Sequence, residues 1–325
     1  MILQKFQTFQ STALARLSKK MECIQKRQFF LCSILIFSCL SAETGYPGFD
    51  VFTSSFQLGL GGAGFLNPSP ISSKINPSVS DTGRYFSTSI IRYHAGITSQ
   101  SAGMSLPWKK GFSIFSVRHI SYGTFNGYDD DLQSTGAYQS RDTWLQYGYS
   151  RQLSTMPLSI GTSTQFYNAS LNDHQIKAIL FTFGSAFYIQ NIQATLGVSF
   201  HDIGKTFDGN NSAKGRIILK TVISGTKKLA HLPLTLYLDT IFSKEEVEPE
   251  IFLGGDFNLK NGIGIRWGTS TRKLDHNTKQ SFFRSAIGAS GFGFGIKTGV
   301  ISINYGTFIF GTGATIHGFQ IGIQL

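Results

Sequence analysis

Charge is scarce in this chain. Only 14% of its 325 residues are Asp, Glu, Lys or Arg, against roughly 25% in soluble domains. Cysteine is confined to the first 42 residues, as Cys23, Cys32 and Cys39. Everything downstream therefore lacks a disulfide framework, a cysteine–metal site and a cysteine nucleophile. The most apolar stretch, Phe29 to Leu40, has 12 residues, short of the roughly 20 that a membrane-spanning helix needs. A chain without such a helix can still cross a bilayer as a closed β-barrel, which also satisfies every backbone group. Catalytic signatures are missing too: there is no G-x-S-x-G and no H-E-x-x-H. No Lys/Arg stripe of the kind that binds nucleic acid occurs after residue 42.

What is present fits the barrel. Aromatics make up 14% of the chain and glycine accounts for 36 residues. Lipid penalises charge, membrane interfaces favour aromatic rings, and a polar lumen uses small residues. Residues 1–42 carry six of the 29 Lys/Arg and one of the 18 acids, leaving 23 basic and 17 acidic residues downstream. That surplus reads as dispersed loop and lumen charge, suited to anionic lipid head groups.

The N-terminus reads as an address. In "KRQFFLCSILIFSCLSA", Lys26 and Arg27 precede the apolar core, and Ala42 offers a small residue at a cleavage site before Glu43. These are the parts of a secretory signal, here 1–42, with Met21 an alternative start. "IFSC" lacks the small-residue run that a lipoprotein signal at Cys39 would need.

From residue 84 onward apolar and small polar residues alternate with period two. In "IQATLGVSFHD", Ile192, Ala194, Leu196, Val198 and Phe200 alternate with Gln, Thr, Gly, Ser and His. "HLPLTLYLD", "GIGIRWG" and "GFGFGIK" repeat the pattern. A soluble sandwich also alternates, but its second face carries Lys and Glu rather than Gly, Ser, Thr and Gln. The expected fold class is all-β: a transmembrane antiparallel barrel of about 14 strands over 84–325. Strands are expected to start near Arg84, Ile97, Gly111, Thr143, Leu158, Gln175, Asn191, Arg216, His231, Glu250, Gly262, Phe282, Gly299 and Ala314. "LPWKKGF", "KLAHLPL", "LKNGIGI" and "KTGV" read as tight turns on one side, Asn261-Gly262 being a strong hairpin signal. The longer polar segments 125–142, 205–215, 243–249 and 271–280 read as loops on the other. An even strand number puts both barrel termini on one side, the periplasmic one. "HGFQIGIQL" reads as the closing strand: Phe319, Ile321, Ile323 and Leu325 face lipid, and Gln and Gly face the lumen. Leu325 stands where outer-membrane proteins commonly carry an aromatic.

Residues 43–83 hold Gly, Pro and Ser without sustained periodicity. "GLGGAG" matches G-x-G-x-x-G at Gly59, Gly61 and Gly64, but Pro68 and Pro70 block the helix that a dinucleotide site needs next. A barrel of 14 strands leaves a lumen to be filled, so 43–83 is expected to fold inward as a plug. Gly59, Gly61, Gly62, Gly64, Asn76 and Pro77 form its structural motif.

"LGLGGAG" at 58–64 with "NPS" at 76–78 resembles the N-terminal signature of the PorV/PorQ family of FadL-like outer-membrane barrels. "SYGTFNGYDDDLQSTGAYQSRDTWLQYGYSRQL" at 121–153, "KKLAHLPLTLYL" at 227–238 and "GFGFGIK" are similar to stretches of that family as well. The resemblance runs from about residue 50 to 325. It implies a non-enzymatic component of the type IX secretion system that organises surface attachment of secreted proteins. The partners implied are PorV, PorU and PorZ, with outer-membrane lipid and lipopolysaccharide. The alternative is a FadL-like channel for hydrophobic or amphipathic ligands.

Candidates for chemistry are few. In the doublets Asp173-His174 and His201-Asp202, adjacent strand residues are expected to face opposite sides, so neither forms a dyad. "YDDD" at 128–131 offers oxygen ligands to a calcium ion, but such runs, like "KEEVEPE" at 244–250, are more often solvated loops. Tyr122, Tyr128, Tyr138, Tyr147 and Tyr149 crowd one region, as interfacial aromatics do. Catalytic residues, metal ligands, cofactors and nucleic-acid partners are all expected to be absent.

Overall fold

The computed structural model describes residues 52–79, 83–128, 131, 133–171, 174–208, 217–243, 248–272, 288–310 and 314–325. The expected signal, Asp129, Asp130 and Asp173 lie outside them. Fourteen strands form one closed antiparallel barrel in which each strand pairs with its sequence neighbours. They are β1 (Tyr85–Arg92), β2 (Thr98–Trp108), β3 (Gly111–Tyr128), β4 (Ser134–Gln152), β5 (Leu158–Leu171), β6 (His174–Ile189) and β7 (Ala194–Asp208). The second half comprises β8 (Lys220–Lys228), β9 (Leu234–Ser243), β10 (Glu250–Asn258), β11 (Ile263–Ser270), β12 (Ser290–Thr298), β13 (Ile301–Ile309) and β14 (Thr315–Gln324). β14 closes on β1 in register, from Tyr85 opposite Gln324 to Arg92 opposite His317. No described helix is long and apolar enough to cross a membrane.

Alternation sorts the side chains as a membrane barrel requires. On β12, Phe292, Phe294 and Ile296 are exposed, with the glycines between them turned inward. On β14, Phe319 is exposed while Gln320 is buried. Phe319 and Ile323 lie beside Ile90 and Phe86 of β1 across the closure. The six turns on the side of the barrel termini are short. In one of them, closed by the Leu259 amide on the Ile263 carbonyl around a three-residue loop, Asn261 and Gly262 take left-handed φ of 66° and 75°.

Three strand starts depart by four or more residues from the sequence expectation. β4 begins at Ser134, nine residues before Thr143; β8 begins at Lys220 rather than Arg216; and β12 begins at Ser290 rather than Phe282. The segment 125–142 is therefore mostly strand, not loop. β3 and β4 run 18 and 19 residues, whereas a tilted strand crosses a bilayer in about 9–11. Their far ends rise clear of lipid, so polar residues occupy both faces and the period-two signal disappears. β5, β6 and β7 are also long, at 14, 16 and 15 residues. The wall is thus tall on one side, and the inner face of that side carries Ile120, Trp144, Tyr167 and Leu180, packed with Ile217 from the segment after β7.

Lipid-facing positions are the most sensitive to charge. Phe294→Arg, at the centre of β12, is expected to lower barrel stability by about 2–4 kcal/mol. Equilibrium urea unfolding in phospholipid vesicles measures it.

Candidate functional site

Residues 52–79 lie inside the barrel, and almost all of their side chains are buried. The segment opens with one short helix, α1 (Ser55–Gly59). Ser54 caps it, its Oγ accepting from the Gln57 amide at 3.2 Å. Gly61, Gly62 and Gly64 follow with φ of 65°, 103° and 101°, a tight reversal closed to residues with a Cβ. The Gln57 side chain ties the two ends, accepting from Thr53 N at 3.0 Å and donating to the Gly62 carbonyl at 3.1 Å.

The wall receives this turn with glycines of its own. A Cβ on Gly291 would strike the Leu58 carbonyl and the Gly61 backbone. One on Gly268 would strike the Leu60 carbonyl, and one on Gly306 the Ser55 carbonyl. A Cβ built on Gly59 would come within 2.9 Å of the Gly293 Cα. On the opposite side, Gly161 lies against the Pro77 carbonyl and Gly184 against the Asn76 side chain. Gly161, Gly268, Gly291, Gly293 and Gly306 are therefore not merely small residues lining an aqueous bore; they are places where one backbone lies directly on another.

Polar side chains fasten what the glycines admit. Asp239, fully buried on β9, accepts from Gly64 N at 2.7 Å and Phe65 N at 3.3 Å through one oxygen. Asn76 holds the far end: its Oδ1 accepts from Ser78 N and Oγ at 3.0 and 2.6 Å, and its Nδ2 donates to the Ser185 carbonyl at 3.3 Å. The Ser78 carbonyl accepts from Ser150 and Ser159. Arg266 pairs with Asp256 at 3.1 Å and spreads its guanidinium 4.2 Å from the Phe56 ring, a desolvated cation–π contact.

A cavity of about 70 Å³ lies between the luminal segment and the wall. The segment contributes Phe52, Thr53, Gln57, Gly62, Phe65, Lys74 and Ile75; the wall contributes His201, Asp202, Lys220, Val222, Ile241, Phe252 and Arg272. Six of these residues are aromatic or aliphatic; the rest are polar or small, with three cations, Lys74, Lys220 and Arg272, and one acid, Asp202. Glu250 grips Arg272 with two bonds, at 2.7 and 3.0 Å. Ser199 Oγ lies 3.0 Å from His201 Nε2. Beside the cavity, Lys74 and Arg118 both approach the Trp144 ring, at 5.7 and 3.9 Å.

His201 and Asp202 correct the sequence reading. Both side chains are buried, at 5% exposure each, and both line the cavity. The register between β6 and β7 jumps here, from Phe181 opposite Ile203 to Phe183 opposite Phe200. Asp202 takes φ of 58°. One extra residue on β7 forms a bulge that turns two successive side chains inward, so strict alternation fails at this point alone on that strand.

The residues singled out in the sequence occupy two separate places. Gly59, Gly61 and Gly62 sit at the turn against β10–β13, Gly64 is bonded to Asp239 of β9, and Asn76 and Pro77 lie across the bore against β5–β7. Phe319, Ile321, Ile323 and Leu325 lie on the outer face of β14, away from the cavity. Among the described residues no cluster of His, Cys, Asp or Glu is arranged to hold a metal ion. Asp239, Lys220 and the wall glycines carried no local sequence signal; nothing in their own strands distinguishes them from other luminal positions.

No protein-family model matches the chain, and no curated protein matches it. Solved structures do. The chain is similar to a FadL homologue of Pseudomonas aeruginosa, with 10% identity, a TM-score of 0.50, and coverage of 84% of this chain and 98% of that one. It is similar to the Pseudomonas putida toluene transporter TodX at 9% identity and a TM-score of 0.50, covering 83% and 96%. The fold is that of outer-membrane barrels of the FadL type.

Two substitutions report on the seating of the luminal segment. Asp239→Ala leaves two buried amides without an acceptor, at about 1–3 kcal/mol each. Gly291→Val sets a side chain where the Leu58 carbonyl lies. Each is expected to leave the barrel folded and to raise cleavage within 52–79 at least tenfold, read by limited proteolysis of reconstituted protein.

Proposed function

We propose that the chain is a non-enzymatic barrel of the Gram-negative outer membrane, stoppered by residues 52–79, that takes a small hydrophobic or amphipathic ligand into its lumen. The cavity shared by stopper and wall carries this reading. Its apolar side chains, Phe52, Phe65, Ile75, Val222, Ile241 and Phe252, suit a hydrocarbon or aromatic body, and Lys74, Lys220 and His201 suit a polar head. The shared fold supports the same reading, since TodX is described as a monoaromatic hydrocarbon channel. Passage then requires the stopper to shift, because it occupies the bore.

A second reading is favoured by how completely that bore is filled. A sealed barrel fits an anchor that organises surface attachment of secreted proteins, the type IX role that the sequence resemblance implies, with PorV, PorU and PorZ as partners. Extraction of the tagged protein in mild detergent, followed by mass spectrometry of lipids and proteins, separates the two. A lone barrel carrying one defined amphiphile supports the channel; stoichiometric large partners without such a ligand support the anchor.

On the channel reading, Lys220→Met is expected to weaken retention of that amphiphile by about tenfold, the loss of one charge-assisted contact. In planar bilayers the intact protein is expected to be silent, and a chain lacking 52–79 to conduct.

A further inference from the structure

The rim on the side of the barrel termini is not a plain set of hairpins. Six turns make it up, and each carries, within it or at the strand end beside it, a large apolar side chain left open: Trp108, Met156, Ile192, Leu232, Leu259 and Val300. Their exposures run from 42% to 57%. Leu325, at the end of β14, adds a seventh at 65%. One such residue is unremarkable on a surface. One in every turn around the circumference is a pattern.

Cations stand between them. Lys109, Lys110, Lys227, Lys228, Lys260 and Lys297 are exposed in or beside the same turns, and Arg84 and Arg151 join them. None of the six turns contains an Asp or Glu. At the opposite rim the described residues include Asp131 and Glu248. Exposed cations, Arg92, Lys177 and Lys205, stand there too, so that rim carries both signs, whereas the six turns on the side of the termini are cationic and apolar only.

We infer that this rim binds the anionic phospholipids of the leaflet it faces. An apolar side chain at the edge of the lipid-facing band enters the boundary between acyl chains and head groups. A lysine beside it extends its amine outward to the phosphate. Anionic lipid surfaces attract basic residues held at that depth. The turns are only a few residues long, so each cation stays level with the apolar ring. That is the depth of a compact phosphate head group, not of a lipid with a long saccharide, and it commits the surface to phospholipid. The ring belongs to the barrel wall and is independent of the luminal cavity.

The test uses the whole protein reconstituted in dimyristoylphosphatidylcholine vesicles at low salt. Electron paramagnetic resonance compares the association of spin-labelled phosphatidylglycerol with that of spin-labelled phosphatidylcholine. The expected preference for phosphatidylglycerol is on the order of two- to five-fold, abolished by 0.5 M salt on the order of magnitude that screening implies. The combined variant K109Q/K110Q/K227Q/K228Q is expected to lose the preference while keeping the folded electrophoretic mobility of the barrel. Equal association of both lipids with the unaltered protein overturns the inference. So does a preference that the four substitutions leave intact.

Discussion

A strand wall can receive another backbone only where it presents no side chains. That constraint organises this barrel. The turn after α1 reaches the wall because Gly268, Gly291 and Gly306 are bare at the positions where Ser55, Leu58 and Leu60 turn their carbonyls outward. Gly61, Gly62 and Gly64 make the turn itself by taking left-handed φ values. The two sets of glycines are complementary: one set shapes the stopper and the other shapes its seat. Asp239 then fixes the register with bonds to two consecutive amides. The buried Arg266–Asp256 pair, a weak source of net stability in itself, holds a cation over Phe56.

The cavity is a consequence of that seating. Lys74 and Phe65 come from the stopper, Lys220 and Phe252 from the wall, and neither group encloses a volume alone. Any ligand held there contacts both bodies, so its binding and the position of the stopper are linked thermodynamically. The bulge at Asp202 adds a second luminal side chain where a regular strand would supply one.

Most of the barrel could be read directly from the sequence because lipid enforces alternation. Leu196 and Val198 on β7, or Phe292 and Phe294 on β12, face hydrocarbon and so keep the period. Where strands leave the bilayer, that pressure ends, and the start of β4 at Ser134 was hidden for that reason. The "GLGGAG" motif reads as part of a plug, but neither its turn nor the wall it lies against is marked. Gly291 and Gly61 are far apart in the chain, and a luminal glycine looks the same whether water or a carbonyl lies over it. His201 and Asp202 were misplaced because a bulge leaves no mark in the local pattern. The resemblance to a secretion family identified the FadL-type fold, which solved structures share.

Hydrogen exchange on the protein in lipid nanodiscs tests the seating most directly. If backbone-to-backbone contact holds the stopper, the amides of Leu58 to Phe65, Gly64 above all, exchange as slowly as those of β11 and β12. Exchange of these amides at the rate of an unfolded chain, with the barrel strands still protected, would contradict the account.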